Sequence, residues 1–166
     1  MPGFIKYILF LVIALIIQKT FIWVIAVTNY NITPDLVLII LVYISIKEGK
    51  LFGIIAGFSS GLIIDLLAGS FLGLLALSYT ITCFITGNFK DENEKYLKNI
   101  NFILITGLAS LITNFLYFEI FFQSAASSIS IIEVVYRYIL PSVLYTMLIS
   151  VFYLFKPGTK STQKVY

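Results

Sequence analysis

The sequence contains no histidine and only one cysteine, Cys83. The residue that most often acts as a general base or metal ligand is therefore missing, and a disulfide within the chain is impossible. Cys83 lies in an apolar run, where cysteine packs as a small hydrophobe. The sequence also has no nucleophile paired with a base, no phosphate-binding loop and no metal-ligand spacing. These absences predict a protein that is not an enzyme and has no cofactor.

Charged residues are also scarce, at 11% of the chain, whereas 60% of the residues are hydrophobic. A soluble domain carries roughly 25% charged residues, because it needs them to cover its surface. Lipid must therefore be the solvent for most of this surface. The net charge of +3 is too small to indicate a nucleic acid partner. The composition predicts an all-α integral membrane protein surrounded by membrane lipid.

Turn signals divide the chain into six apolar segments, which predict about six transmembrane helices in one membrane domain and a short tail, residues 156–166. The predicted helices cover residues 4–27, 34–46, 51–67, 71–87, 100–122 and 138–155. A helix needs about 20 apolar residues to cross a bilayer. The second segment is clearly shorter, so we expect either shielding by its neighbours or a thinner bilayer beside it. Thr33-Pro34-Asp35 is its start signal, with Thr33 as the cap and Pro34 at the first helical position.

Lysines are distributed unevenly between the two sides of this six-helix arrangement. With the N-terminus inside the cell, the inner segments hold nine lysines: Lys6, Lys47, Lys50, Lys90, Lys95, Lys98, Lys156, Lys160 and Lys164. The three outer loops hold neither Lys nor Arg. Positive residues favour the cytoplasmic side of a membrane. Both termini are therefore predicted to be cytoplasmic.

The six charges that lie outside the loops gather in the outer half of the predicted helices. They are Lys19, Asp35, Asp65, Glu119, Glu133 and Arg137. At 1.5 Å per residue, Lys19 and Asp65 lie at about the same height, about 20 Å from the inner end. One interpretation is structural: Lys19 pairs with Asp65, and Arg137 pairs with Glu133 or Glu119. The other is a polar recess, open to the outside, in which a ligand or a partner segment binds. The two interpretations can coexist.

Small residues recur on one face of the third predicted helix. Gly53, Gly57 and Gly61 are spaced by four residues, and Asp65 continues the interval. Such glycines let two membrane helices approach closely. The pattern therefore indicates packing within the bundle or, alternatively, an interface with another molecule. Gly69 and Gly73 keep the same interval, but a turn separates them from this helical face.

The segment from Pro34 to Gly73 resembles the family of rod shape-determining protein MreD. The resemblance rests on Pro34-Asp35-Leu36 opening a short apolar helix, a basic turn, and then Gly53, Gly57, Gly61, Leu62, Asp65, Leu66, Gly69, Leu72 and Gly73 in this order. The length of the chain and an Ile17-Gln18 element in the first helix fit the same family.

This resemblance implies a scaffold in the bacterial cytoplasmic membrane that takes part in cell elongation. The implied partner is MreC, a single-span protein with a periplasmic domain. Through the complex, the scaffold would be linked to MreB filaments and to the enzymes that synthesise lateral peptidoglycan. The implied fold is similar to the S components of energy-coupling-factor vitamin transporters, which hold a ligand where the outer charges lie here.

An S component of a vitamin transporter is the alternative function. Such proteins dock their coupling subunit on small residues, typically Ala-x-x-x-Ala, near the inner end of the first helix. This chain has the bulky run from Phe4 to Phe10 there instead. The scaffold is therefore the favoured interpretation.

Overall fold

The computed structural model describes residues 2–20, 33–69, 71–90, 97, 99–125 and 131–151. All regular elements in these residues are helical, as expected where lipid leaves each backbone N–H and C=O to be satisfied within its own segment. In chain order the helices are α1 (Pro2–Thr20), α2 (Leu36–Glu48), α3 (Lys50–Ala68), α4 (Leu74–Thr86), α5 (Asn99–Ala125) and α6, which begins at Ile131 and ends at Ser150.

Three of these helices are long and apolar enough to cross a membrane. The qualifying stretches are Lys50–Ala68 in α3, Ile100–Phe118 in α5 and Ile132–Ser150 in α6. α4 continues into a 3₁₀ turn, and together they form a shorter apolar stretch, Leu74–Phe89. The predicted continuation of α1 to residue 27 and the tail 156–166 lie outside the described residues. The prediction of an all-α membrane protein is confirmed.

The short helix α2 lies at the centre of the bundle and packs against each of the other five helices. Its buried side chains cover more than half of its circumference, and they are Val37, Leu38, Leu41, Val42, Ile44, Ser45 and Ile46. A helix that is apolar on every side needs to be enclosed by protein or lipid. Here the neighbouring helices supply the enclosure, so 13 residues are sufficient.

The start of α2 differs from the prediction. The helix begins at Leu36, and its cap is Asp35 and not Thr33. The Asp35 carboxylate accepts a hydrogen bond from the backbone N–H of Leu38 at 3.0 Å, as an N-cap side chain should. Pro34 lies just outside the helix and is buried.

The start of α6 also differs, because the helix begins seven residues before the predicted start at residue 138. It contains a π-helical turn, Val135–Ile139, between the α-helical stretches Ile131–Val134 and Leu140–Ser150. Pro141 explains this turn: its ring would meet the carbonyl of Arg137 in a regular α-helix, and it has no N–H to donate. The wider π turn relieves this conflict and lets the helix continue.

The glycine series of α3 lies against neighbouring helices of the same chain. A Cβ atom built on Gly53 would lie 2.9 Å from the Cβ of Ser45 in α2, and one on Gly57 would lie 3.0 Å from the carbonyl oxygen of Tyr79 in α4. At Gly61 it would lie 2.7 Å from the backbone nitrogen of Ala76. These distances are too short for a real side chain, so the glycines permit the close approach of α3 to α2 and α4.

Candidate functional site

A cavity of about 480 Å³ lies at the end of the bundle that holds the start of α2 and the start of α4. We call it the outer cavity, because the lysine distribution predicts that this end faces away from the cytoplasm. α1, α3, α4, α5, α6 and the segment before α2 all contribute to its wall. Its charged lining residues are Lys19, Asp35 and Asp65, and its aromatic lining residues are Tyr79, Tyr117, Phe118 and Tyr138.

Asp35 is held by donors from three elements. Besides the N–H of Leu38, its carboxylate accepts hydrogen bonds from the Tyr79 hydroxyl at 2.6 Å and from Nε2 of Gln18 at 3.4 Å. Tyr79 belongs to α4 and Gln18 to α1, so one carboxylate joins both helices to the start of α2. The positive end of α2 favours a negative charge at this position.

Gln18 and Thr146 complete the connections around the start of α2. Oε1 of Gln18 accepts a hydrogen bond from the backbone N–H of Val37 at 3.1 Å. The backbone N–H of Asp35 donates to Oγ1 of Thr146 in α6 at 3.2 Å. Two of the N–H groups that the first turn of α2 leaves without a helical partner are thus satisfied by α1 and by its own cap.

Asp65 lies near the end of α3 and is only 2% exposed. Its carboxylate accepts hydrogen bonds from the backbone N–H groups of Gly73 at 2.9 Å, Leu75 at 3.1 Å and Ala76 at 3.2 Å. These three groups form the start of α4, whose own N-cap residue, Gly73, offers no side chain. Asp65 therefore caps the next helix across the turn.

The turn between α3 and α4 depends on two glycines with left-handed backbone conformations. Gly69 has a φ of 62° and Gly73 a φ of 95°, a region in which a side chain is strained. Gly69 ends α3, and Gly73 brings the first N–H groups of α4 onto Asp65. The spacing of Asp65, Gly69 and Gly73 thus describes one capping turn.

The predicted ion pair between Lys19 and Asp65 does not form. Both side chains line the outer cavity, as their equal predicted depth suggested. The carboxylate of Asp65, however, is taken up by the backbone of α4. Lys19 has no ion-pair partner among the side chains that the structure describes.

Glu133 and Arg137, two of the other outer charges, lie apart from the cavity lining. Nη1 of Arg137 and Oε1 of Glu133 form an ion pair at 2.9 Å, which is the first of the two pairings that the sequence left open. Both side chains are about half exposed, and neither lines the cavity. Glu119 lies on α5, but its side chain is outside the described part of the chain.

Several polar lining residues were not predicted as site residues. Thr113 bonds Thr82 at 2.8 Å and joins α5 to α4, and Asn114 donates to Ser142 of α6 at 3.4 Å. Tyr79 was also missed, although it binds Asp35. Isolated polar residues in apolar helices usually bond their own backbone, so no pattern in the sequence indicates that these side chains meet.

Within the described residues, no group of three His, Cys, Asp or Glu side chains could hold a metal ion. The polar groups of the outer cavity instead join helix ends to one another. What remains available to an occupant is space, apolar and aromatic lining, and the ammonium group of Lys19.

The sequence matches a known protein family. The family model of rod shape-determining protein MreD matches residues 2–156. The chain belongs to the MreD family. Searches of curated proteins and of solved structures gave no match.

Membership of the MreD family gives the protein a role in determining rod shape. MreD proteins are shape-determining membrane proteins and not a known family of enzymes. In the series from Pro34 to Gly73, on which the resemblance rested, Asp35 caps α2, the glycines admit α2 and α4, and Asp65 caps α4.

Proposed function

We propose that this protein is a non-enzymatic membrane scaffold of the bacterial cell-elongation complex, and that it binds an MreC-like single-span protein. The observation that carries the proposal is the match of the MreD family over residues 2–156. Through that partner the scaffold would be coupled to MreB filaments and to the enzymes of lateral peptidoglycan synthesis.

The state of the two carboxylates that line the outer cavity supports a non-enzymatic role. A general base needs an oxygen that is within reach of a substrate proton and free to accept it. Asp35 and Asp65 each accept hydrogen bonds from three donors of the protein itself. Both are therefore engaged in holding helix starts together.

We infer that the protein spans the cytoplasmic membrane several times with both termini inside the cell. The inner lysines of two separate segments meet at the end of the bundle opposite the outer cavity: Nζ of Lys90 donates to the carbonyl oxygen of Glu48, beside Lys47 and Lys50. The N-terminal part of α1 lies at the same end of the bundle, because the hydroxyl of Tyr7 donates a hydrogen bond to the carboxylate of Glu48 at 2.7 Å. Fusion of a periplasm-active phosphatase to the C-terminus should give no activity, whereas a fluorescent protein should be bright.

The partner's transmembrane helix is expected to pack on a lipid-facing side of the bundle, since the glycine face of α3 is filled from within. Four phenylalanines, each about half exposed, sample four helices: Phe10 on α1, Phe58 on α3, Phe84 on α4 and Phe115 on α5. Each can be replaced by photoreactive benzoylphenylalanine with little change in shape. Phe102, which is fully buried, is the matched control.

The experiment is irradiation of native membranes, followed by purification through a tag and mass spectrometry of cross-linked proteins. We expect at least one exposed position, and not Phe102, to capture a single-span MreC-like protein. Absence of such a protein, both from the cross-links and from a mild-detergent pull-down, would argue against the scaffold.

The vitamin transporter remains the second candidate, because the outer cavity has the volume of a small-molecule site, which is about 300–1,000 Å³. The same pull-down separates the two functions. Recovery of paired ATPases with a coupling membrane subunit would support the transporter and argue against the scaffold. Recovery of wall-synthesis enzymes would support the scaffold and argue against the transporter.

A further inference from the structure

The ammonium group of Lys19 takes part in none of the contacts described above for the outer cavity. Lys19 lines the cavity, and its side chain is exposed. Both carboxylates that share the cavity are held by helix starts and by side chains of α1 and α4. Each helix start also carries a positive partial charge of about one half, which offsets part of the carboxylate charge.

Position within the membrane makes an unpaired Lys19 costly. The sequence continues outward from Lys19 with the apolar run from Phe21 to Val27. An ammonium group on an apolar helix away from water needs a partner, and charges at such depth pair with other groups or face a polar cavity. The nearest polar space described is the outer cavity itself.

The lining indicates the chemical class of the partner. Besides Lys19, the cavity offers aromatic and aliphatic surface, including Tyr117, Phe118 and Ile64. Exposed aliphatic side chains flank its charged rim on both sides: Ile16 and Ile17 on α1, and Leu66 and Leu67 on α3. An occupant with an anionic head and apolar chains matches this arrangement, because its head reaches the ammonium and its chains lie along the aliphatic flanks.

We propose that the outer cavity binds the phosphate group of an anionic phospholipid, with Lys19 as the residue that holds the phosphate. Phosphate is a strong acceptor for an ammonium group, and such charge-assisted hydrogen bonds are about twice as strong as neutral ones. A soluble phosphate ester would offer the same head. The aliphatic flanks of the rim favour the lipid. This site is independent of whether a partner protein binds elsewhere on the bundle.

The test is native mass spectrometry of the tagged, detergent-purified full chain. Three probes are added separately: dioleoylphosphatidylglycerol, dioleoylglycerol without a phosphate, and free glycerol phosphate. We expect the wild type to retain one phosphatidylglycerol and neither of the other two. Loss of a charge-assisted hydrogen bond in Lys19→Gln should weaken retention about tenfold or more, and Lys19→Arg should keep it.

Lys6→Gln is the matched control, since Lys6 is an exposed lysine at the opposite end of the same helix. Equal retention of phosphatidylglycerol by Lys19→Gln and the wild type would overturn the proposal. So would equal retention of dioleoylglycerol, a result that needs no variant and holds even if Lys19→Gln fails to fold. Retention of glycerol phosphate as strongly as the lipid would assign the cavity to a soluble anion instead.

Discussion

Carboxylates hold the helix starts at the outer end of the bundle, whereas a lysine holds the end of α2 at the inner end, and the packing of the two ends differs. At the outer end, where α2 and α4 begin, the carboxylates of Asp35 and Asp65 accept hydrogen bonds from helix N–H groups around a cavity of about 480 Å³. At the inner end, where α2 and α4 stop, Lys90 donates to a carbonyl oxygen of the last turn of α2.

The described residues at the inner end pack closely together, whereas those at the outer end surround a cavity. A Cβ atom on Gly87 would lie 2.7 Å from the Cα of Lys50, so backbone there meets backbone. Both distributions follow the helix dipole, which favours negative groups at helix starts and positive groups at helix ends. The described inner end thus brings backbone into contact with backbone, whereas the outer end joins its helix starts through side chains around a cavity that can hold an occupant.

The largest effect is expected where backbone contacts backbone beneath the outer cavity. In Gly61→Ala, the new Cβ would meet the backbone of Ala76, which cannot move without separating α3 from α4. We expect the free energy of unfolding, measured by SDS titration in mixed micelles, to fall by about 3 kcal/mol, at the upper end of overpacking.

Gly107→Ala is the matched control for this substitution. A Cβ on Gly107 would also be close to a neighbour, but that neighbour is the sulfur of Met147, a flexible side chain that can move. Because Ala favours a helix over Gly by about 1 kcal/mol, Gly107→Ala should be neutral or slightly stabilising. Equal losses in the two variants would show that the close approach of α3 and α4 is not the limiting contact.

The second effect distinguishes the two aspartates of the outer end. In Asp65→Asn, one carboxylate oxygen becomes an NH₂ group that faces the N–H groups of α4, and we expect a loss of about 2–3 kcal/mol. In Asp35→Asn the loss should be about 1 kcal/mol or less, because Asn caps helices as well as Asp and its NH₂ can donate to the Tyr79 hydroxyl. The same titration measures both, and a larger loss at Asp35 would contradict the capping assignment of Asp65.

These assignments show how far the sequence could predict the site. Depth counting predicted equal heights for Lys19 and Asp65, because helical rise depends only on residue number, and both residues line the outer cavity. The ion pair between them that the sequence suggested does not form, since the carboxylate of Asp65 is held by the backbone at the start of α4, beginning with Gly73, eight residues later. Gly69 and Gly73 were the available signal, because a glycine turn of that length returns the next helix start to the carboxylate.

The number and order of the helices could be predicted from the sequence, but the residues at which α2 and α6 begin could not. Apolar length and breakers predicted helices, and the shortness of α2 predicted its enclosure. The cap of α2, Asp35, is contacted by Tyr79, a residue far from it in the sequence. The early part of α6 includes a π turn that accommodates Pro141, a residue inside the apolar pattern. Such cross-helix contacts leave no trace in the period of a single helix.

The third effect concerns the connection of α4 to the start of α2. Tyr79→Phe removes the 2.6 Å hydrogen bond to Asp35 and leaves one carboxylate oxygen without this donor. A loss of about 1.5–2 kcal/mol is expected, since the bond involves a charged acceptor. Tyr136→Phe, at a tyrosine that is 75% exposed, should change stability by less than about 0.5 kcal/mol. If the two variants lose the same amount, the Asp35 connection does not stabilise the outer end.

The smallest effect on the free energy of unfolding is expected for the ion pair between Arg137 and Glu133, which does not line the outer cavity. Arg137 and Glu133 are 51% and 44% exposed, lie one turn apart and are absent from the cavity lining. Exposed pairs of this spacing contribute about 0.3–0.5 kcal/mol, and salt screens them. Arg137→Gln should therefore lower the free energy of unfolding by no more than that, and the difference should shrink as the sodium chloride concentration is raised.

A loss comparable to that of Tyr79→Phe, and insensitive to salt, would mean that this pair is buried against the outer cavity after all. The outer end would then be held by the ion pair as well as by the two helix caps, and the contrast between capped helix starts and exposed charges would fail.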